Sequence, residues 1–264
     1  MSTQLHPEPA LDFTGKTILV TGSGRNIGRA IILEFAERGA NVIVNAKSNR
    51  DEAQSVLKEA EALGAKGIVV MGEASERTVV DEMKRQAEQA FGRVDIYVSC
   101  ANRRLSKTFF ETTDEDWHYY LNQQLTASWY LAKAFVPGMI EGGYGRIIHI
   151  NGPDGITGMS SRIPAASGKG GLRVLTKSLA AELGQYGITV NDLNPGFCET
   201  ERDFTTHPQL KDRSFVDKVL KEIPIRRQTK LKEVAFTCAF LCSPLSAAMT
   251  GIMLHTDGGH EMLA

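Results

Sequence analysis

The chain has 264 residues, 42% of them hydrophobic and 23% charged, enough apolar material for one α/β domain with a sizeable core. Its formal charge is -1 with both signs spread along the sequence, so charge gives no case for nucleic acid or a membrane surface as partner and leaves a small molecule. Met1 to Leu11 has no apolar stretch, and no run approaches the roughly 20 apolar residues of a membrane span, so a cytoplasmic location is expected.

After an extension over 1–12, one domain is expected over 13–264. Seven short apolar runs alternate with amphipathic stretches: Thr17 to Thr21, Asn41 to Asn45, Gly67 to Met71, Val94 to Val98, Arg146 to Ile150, Ile188 to Leu193 and Ile252 to His255. Each is apolar on both parities, as strands are when helices cover both faces of a sheet, and the segments between are long enough for crossover helices. The pattern predicts a single doubly wound α/β domain with a mostly parallel seven-stranded sheet.

The first strand runs directly into Val20-Thr21-Gly22-Ser23-Gly24-Arg25-Asn26-Ile27-Gly28, and a helix follows at once. A pyrophosphate needs backbone N–H groups and a helix N-terminus pointing at it, and positions without a side chain let the backbone come close. Gly22 and Gly28 are the first candidates. In that helix Ile27, Ile31, Ile32 and Phe35 share a face, and Gly39 is placed to end it. The second strand ends in Asn45-Ala46-Lys47-Ser48-Asn49-Arg50, with no acid before Asp51. An acid there would hold the ribose hydroxyls of NAD, whereas basic or small polar groups accommodate a 2′-phosphate; with Arg25, this favours NADP(H) over NAD(H). The alternative is that Lys47 and Arg50 only open a solvated helix.

Arg103-Arg104, after the fourth strand, are candidates for an anionic substrate group, with plain solvation as the alternative. Cys100, Cys198, Cys238 and Cys242 have no metal-ligand spacing, so no metal is expected and the four read as reduced core thiols. From Phe197 to Pro224 the alternation breaks; Thr205, Thr206, His207 and Pro208 read as a loop, and a substrate lid is expected at about 197–224.

Together these motifs resemble the short-chain dehydrogenase/reductase family from about Phe13 onward. Thr21-Gly22 with Gly28 is similar to its cofactor turn. Val98-Ser99-Cys100-Ala101-Asn102 takes the place of its Asn-Asn-Ala-Gly, with only the alanine matching. Asn194-Pro195-Gly196, followed by Thr200, resembles the segment laid against the nicotinamide, and Thr256-Asp257-Gly258-Gly259 the terminal strand motif. The resemblance implies a Rossmann domain that binds NADP(H) through Gly22, Ser23, Arg25, Asn26, Ile27, Gly28, Ala46, Lys47, Ser48, Glu73, Ala74, Ala101, Asn102, Lys169, Pro195, Gly196, Cys198 and Thr200. It also implies a homo-oligomer, tetramer or dimer, built on helices at Trp117 to Phe135 and Leu172 to Leu183, with a hetero-oligomer as the alternative.

The family's proton chemistry uses a serine, a tyrosine, a lysine and an asparagine. By the resemblance Gly152 stands at the serine, Ala165 at the tyrosine and Gln124 at the asparagine; only Lys169 is retained, the one catalytic candidate. A general acid is typically worth about 10² to 10⁴ in rate, so ordinary ketone reduction is in question. Substitute donors within reach along the chain are His149, Asn151, Asp154, Ser160, Ser161 and Ser167, each also an ordinary loop or strand-end hydrogen bonder. The run Ile163 to Lys169, with Lys177 to Glu182 and Phe240 to Ser243, is similar to the 2,4-dienoyl-CoA reductases, a branch that also lacks Tyr-x-x-x-Lys. The expected function is an atypical NADP(H)-dependent oxidoreductase acting on a small carbonyl or conjugated enoyl substrate. The alternative is a catalytically impaired nucleotide-binding subunit of a dehydrogenase assembly, and non-redox chemistry fits the retained glycine turn least.

Overall fold

The computed structural model describes residues 9–103, 106–201 and 208–262. Residues 1–8 of the expected extension, Arg104, and Thr205, Thr206 and His207 of the expected lid lie outside the described residues. All seven predicted runs form strands: β1 (Thr17–Val20), β2 (Asn41–Ala46), β3 (Gly67–Met71), β4 (Ile96–Ser99), β5 (Gly145–Ile150), β6 (Ile188–Asn194) and β7 (Met253–His255). They make one parallel sheet in the order β3-β2-β1-β4-β5-β6-β7. β4 starts two residues later than predicted. Asp95 precedes the strand, where its carboxylate accepts the Thr17 amide at 3.0 Å and pairs with Arg93 and Lys16.

Successive side chains of a strand leave opposite faces of the sheet, which splits the core in two. Ile18, Val20, Val42, Val44, Ile96 and Val98 pack on α1 (Asn26–Glu37), α2 (Arg50–Ala62) and α9 (Leu231–Cys242). Leu19, Ile43, Val70, Tyr97, Ile147 and Val190 pack on α3 (Arg77–Phe91), α5 (Ala127–Glu141) and α7 (Ile163–Leu183). Ile31 and Phe35 are fully buried, as the stripe on α1 predicts, and each contributes roughly 1.5–3 kcal/mol by leaving water. Gly39 ends α1 with φ +84°. Cys198, Cys238 and Cys242 are buried and Cys100 is half-buried, all as free thiols.

Two helices differ from expectation. α7 begins nine residues before Leu172, and the helix predicted from Trp117 to Phe135 is three pieces. α4 (Asp114–Leu121) starts early because Thr113 and Asp116 form a reciprocal cap. A π turn over Asn122–Thr126 then separates α4 from α5. Such wide turns collect at functional sites, because the extra residue re-aims its neighbours. Among the described residues no helix is long and apolar enough to cross a membrane, and no cluster of His, Cys, Asp or Glu is arranged for a metal.

Candidate active site

The strand order reverses between β1 and β4, and open α/β sheets bind ligands at the carboxyl ends of the strands beside that switch. There the Thr21 hydroxyl ties the two strand ends together, accepting the N–H groups of Cys100 (3.0 Å) and Ala101 (3.1 Å). Gly22, with φ +63°, lies so close that a Cβ would stand 2.8 Å from the Ala101 Cα. A Cβ on Gly28 would stand 2.6 Å from the Gly22 carbonyl oxygen, so this glycine lets α1 seat directly on the turn. Arg25, the residue before α1, makes no side-chain cap and the first turn holds no acid, whereas α2 opens with an Asn49 cap and Asp51 and Glu52. The α1 terminus therefore offers positive dipole and main-chain N–H to an anion, and the turn fits a pyrophosphate.

Ser23 contributes main chain only: it is fully buried and its hydroxyl donates to the Val20 carbonyl at 2.7 Å. Asn26, with φ +51°, faces the other way; its side chain exchanges two hydrogen bonds with the main chain of Glu201, at 2.8 and 3.1 Å. Ile27 packs against the core behind the turn. At this turn one residue escaped the sequence reading. Asn45, buried in β2, accepts the Gly22 amide at 3.2 Å and donates to the carbonyls of Val70 and Gly72, pinning the turn to β2 and β3. An asparagine directly after the apolar run Val42 to Val44 was the available signal.

At the ends of β2 and β3, Ala46 is buried against Gly24, and Lys47, Ser48 and Arg50 are exposed, as is Arg25. Lys47 is not left to solvent. It is hydrogen-bonded to Glu73, which holds its pKa above the ordinary lysine value, and lies over the Tyr119 ring, 5.4 Å from the centroid. Tyr119 in turn donates to Glu73 at 3.2 Å. Ala74 is buried beside this cluster in sequence, at the foot of the other core layer. Arg103 is exposed and its amide donates to Gln123 Oε1 at 2.8 Å.

Across the crevice, Pro195 is buried, and a Cβ on Gly196 would stand 2.4 Å from the Asp257 Cβ, which explains why the Asn-Pro-Gly and Thr-Asp-Gly-Gly motifs occur together. Cys198 is buried with its thiol donating to the Pro195 carbonyl at 3.1 Å, so the side chain faces its own loop. The Thr200 amide donates to the Cys198 carbonyl and its side chain is half-buried. Asn102 is exposed, and its Oδ1 accepts from Gln124 at 3.5 Å. Gln124 sits within the π turn, is buried, and has no partner on Oε1 among the described residues; Gly168 packs against it.

The reaction corner lies after β5. Lys169 is buried on α7, and its ammonium pairs with Asp154 of α6 (Asp154–Thr157) at 3.6 Å; Arg162 pairs with the same oxygen at 3.6 Å. Ala165, one turn before Lys169, is buried and brings no hydroxyl. At Gly152 a Cβ would stand 2.8 Å from the Lys169 Nζ. A cavity of about 290 Å³, lined by Asp154, Met159, Ile163 and Ser167 among others, opens beside this corner. Of the six candidate donors, the structure brings Asp154 to the ammonium. Ser160 and Ser167 are exposed and Ser161 is half-buried. Asn151 is occupied in structure: its amide donates to the Lys169 carbonyl (3.2 Å) and to Asp192 (3.3 Å).

His149 is fully buried beneath the site. Its Nδ1 lies 2.7 Å from the Thr176 hydroxyl, which donates to Asp192 at 2.6 Å. His149 and Asp192 thus share the Thr176 hydroxyl, and Nε2 of His149 meets no described residue. Asp192 and Thr176 went unread in the sequence, although an acid inside the apolar run Ile188 to Leu193 was the signal.

Residues 22–261 match the family model described as Enoyl-(Acyl carrier protein) reductase. The chain is 35% identical to the 3-oxoacyl-[acyl-carrier-protein] reductase FabG of Escherichia coli (strain K12), over 96% of this chain and 100% of that one. It is 31% identical to the protein of the same name from Staphylococcus epidermidis, over 94% and 99%. Among solved structures it is similar to a gluconate 5-dehydrogenase from Burkholderia cenocepacia J2315 in complex with NADP and tartrate, with a TM-score of 0.88, 29% identity, and 97% and 98% of the two chains covered. With the switch-point crevice, the glycine turn and a family match along nearly its whole length, the chain belongs to the short-chain dehydrogenase/reductase family.

Proposed function

We propose that this chain is an atypical NADP(H)-dependent oxidoreductase that interconverts a small carbonyl compound and its alcohol, with Lys169 as its catalytic residue. The carrying observation is the pairing of two ends of one crevice: an α1 N-terminus without a side-chain cap or acid, and a buried Lys169 held on Asp154. The names of the Escherichia coli relative and of the Burkholderia structure, an oxoacyl reductase and a gluconate dehydrogenase, support carbonyl and alcohol chemistry. Arg25, Lys47, Ser48 and Arg50, exposed at the mouth beside Ala46 with no acid before Asp51, support the 2′-phosphate form of the coenzyme.

The coenzyme set is the one given by the sequence, with Ser23 and Cys198 contributing main chain. Residues 213–224 of the expected lid, including α8 (Arg213–Glu222), close over substrate. Exposed Trp117, Trp129 and Val174 on α4, α5 and α7 supply an apolar face for a homo-oligomer.

Fluorescence titration with NADPH and NADH, then NADPH oxidation across ketones, 3-oxoacyl thioesters and conjugated enoyl thioesters, tests this reading. Tight NADPH binding and turnover of a carbonyl is the expected result. Turnover of enoyl thioesters alone assigns the chain to the C=C branch. A second reading rests on the absence of hydroxyls at Gly152 and Ala165: tight NADPH binding with no turnover makes the chain a nucleotide-binding subunit.

A further inference from the structure

We propose that Lys169 is itself the proton donor to the substrate oxygen, and that Gly152 is the residue that makes this possible. The inference rests on the carbonyl reading above and deepens it. At the carboxyl end of β5, Lys169, Asp154 and Arg162 form one ionic cluster. A guanidinium does not give up its proton near neutral pH, and a carboxylate set between two cations serves as acceptor; the ammonium is the acid of the three. Its place is set from two sides. Asp154 Oδ2 holds Nζ at 3.6 Å, and the missing side chain at 152 leaves the volume into which Nζ projects, 2.8 Å from where a Cβ would be. Any residue other than glycine at 152 would push the ammonium back.

The chemistry balances as a carbonyl reduction. Hydride would come to the carbonyl carbon from reduced coenzyme, which would be oxidised, and the C=O π pair would move onto oxygen. At that oxygen a Lys169 N–H bond breaks as the O–H bond forms, and the neutral amine left behind takes a proton from solvent. Asp154 is a positioning residue here: it aims the ammonium without touching substrate.

The test combines three variants with two readouts, kcat for the carbonyl substrate and the NADPH dissociation constant from fluorescence. Gly152→Ala meets only the far end of a flexible side chain, so the protein folds and Nζ moves. Its kcat is expected to fall by about 30-fold or more while NADPH affinity changes by less than about threefold. Lys169→Gln is expected to lower kcat by about 10² or more. Lys169→Arg keeps the charge yet cannot deliver the proton, so its kcat is expected to stay within about threefold of Lys169→Gln. The proposal is overturned if Lys169→Arg keeps most of the wild-type rate or if Gly152→Ala leaves kcat unchanged. An active wild type with an indifferent Gly152→Ala removes this proposal alone; a wild type that reduces no carbonyl removes the functional reading with it.

Discussion

At the carboxyl end of β1 the crevice is walled by main chain: glycines 22 and 28, the Ala101 amide, and the open terminus of α1. At the carboxyl end of β5 it is walled by charge, with Lys169, Asp154 and Arg162 in contact and the polar series Asn151, Asp192, Thr176 and His149 buried behind them. The first region presents main-chain N–H groups to an anion, with charged side chains set only at its mouth. The second has no hydroxyl at Gly152 or Ala165 and gathers ionic groups. Burying such groups is favourable only where each finds partners, so the reaction corner carries more of its stability in specific polar contacts than the coenzyme end does.

That difference predicts where mutations strike. Thr176→Val keeps the shape of the side chain but leaves a carboxylate oxygen of Asp192 and Nδ1 of His149 buried without their shared partner. The expected cost is about 3 kcal/mol of stability, or roughly 6–12 °C in melting temperature, with NADPH affinity little changed. Thermal unfolding followed by circular dichroism, with and without NADPH, checks this; a melting point within a degree or two of wild type breaks the comparison. Gly28→Ala should do the reverse. Its Cβ meets fixed main chain, the Gly22 carbonyl and the Ser23 Cα, both at 2.6 Å, and overpacking of this kind costs about 2 kcal/mol. Because the turn itself must shift, the loss is expected as NADPH binding weakened by about 30-fold, read by fluorescence titration.

The contrast also decides what the sequence discloses. The sheet was legible because each strand is apolar on both parities, and the coenzyme turn because its parts are consecutive: strand, glycines, helix. Lys169 was visible as the one survivor of a motif. The polar series behind the reaction corner was not legible, since it is assembled from residues 16, 27 and 41 positions apart, and nothing local in Asp192 or Thr176 announces its partner. The helix from Trp117 was misread as continuous for a related reason. A π turn has the apolar pattern of an ordinary helix, and the signs of it here, a buried Gln124 and Ser128 bonded back to the Gln124 carbonyl, are packing events. The pairing of Lys47 with Glu73 was not legible either, because Glu73, 26 residues on, carries no mark in the sequence that it will reach back.

Glu73 therefore offers a smaller and sharper test at the coenzyme end. Glu73→Gln removes the carboxylate that competes for the Lys47 ammonium, while its amide oxygen can still accept from Tyr119. Lys47 is 44% exposed, which keeps the pair modest. The ratio of NADPH to NADH affinity is expected to rise by about fivefold, close to 1 kcal/mol, and to shrink as salt is added. An unchanged ratio would mean that Lys47 does not meet the 2′-phosphate.

The smallest effect is expected at Asn26, where the coenzyme turn is hydrogen-bonded to Glu201. Its left-handed backbone suits asparagine or glycine, so Asn26→Gly removes the two hydrogen bonds to Glu201 without adding strain. These bonds are partly exposed, and together they contribute about 0.5–1 kcal/mol. If they hold the start of the expected lid to the turn, substrate KM rises by about threefold while kcat and NADPH affinity stay near wild type, because the loss falls on substrate binding rather than on Lys169 or the glycines. A fall in NADPH affinity instead would place Asn26 with the main-chain grip, and the boundary between the two halves of the crevice would move one residue toward Glu201.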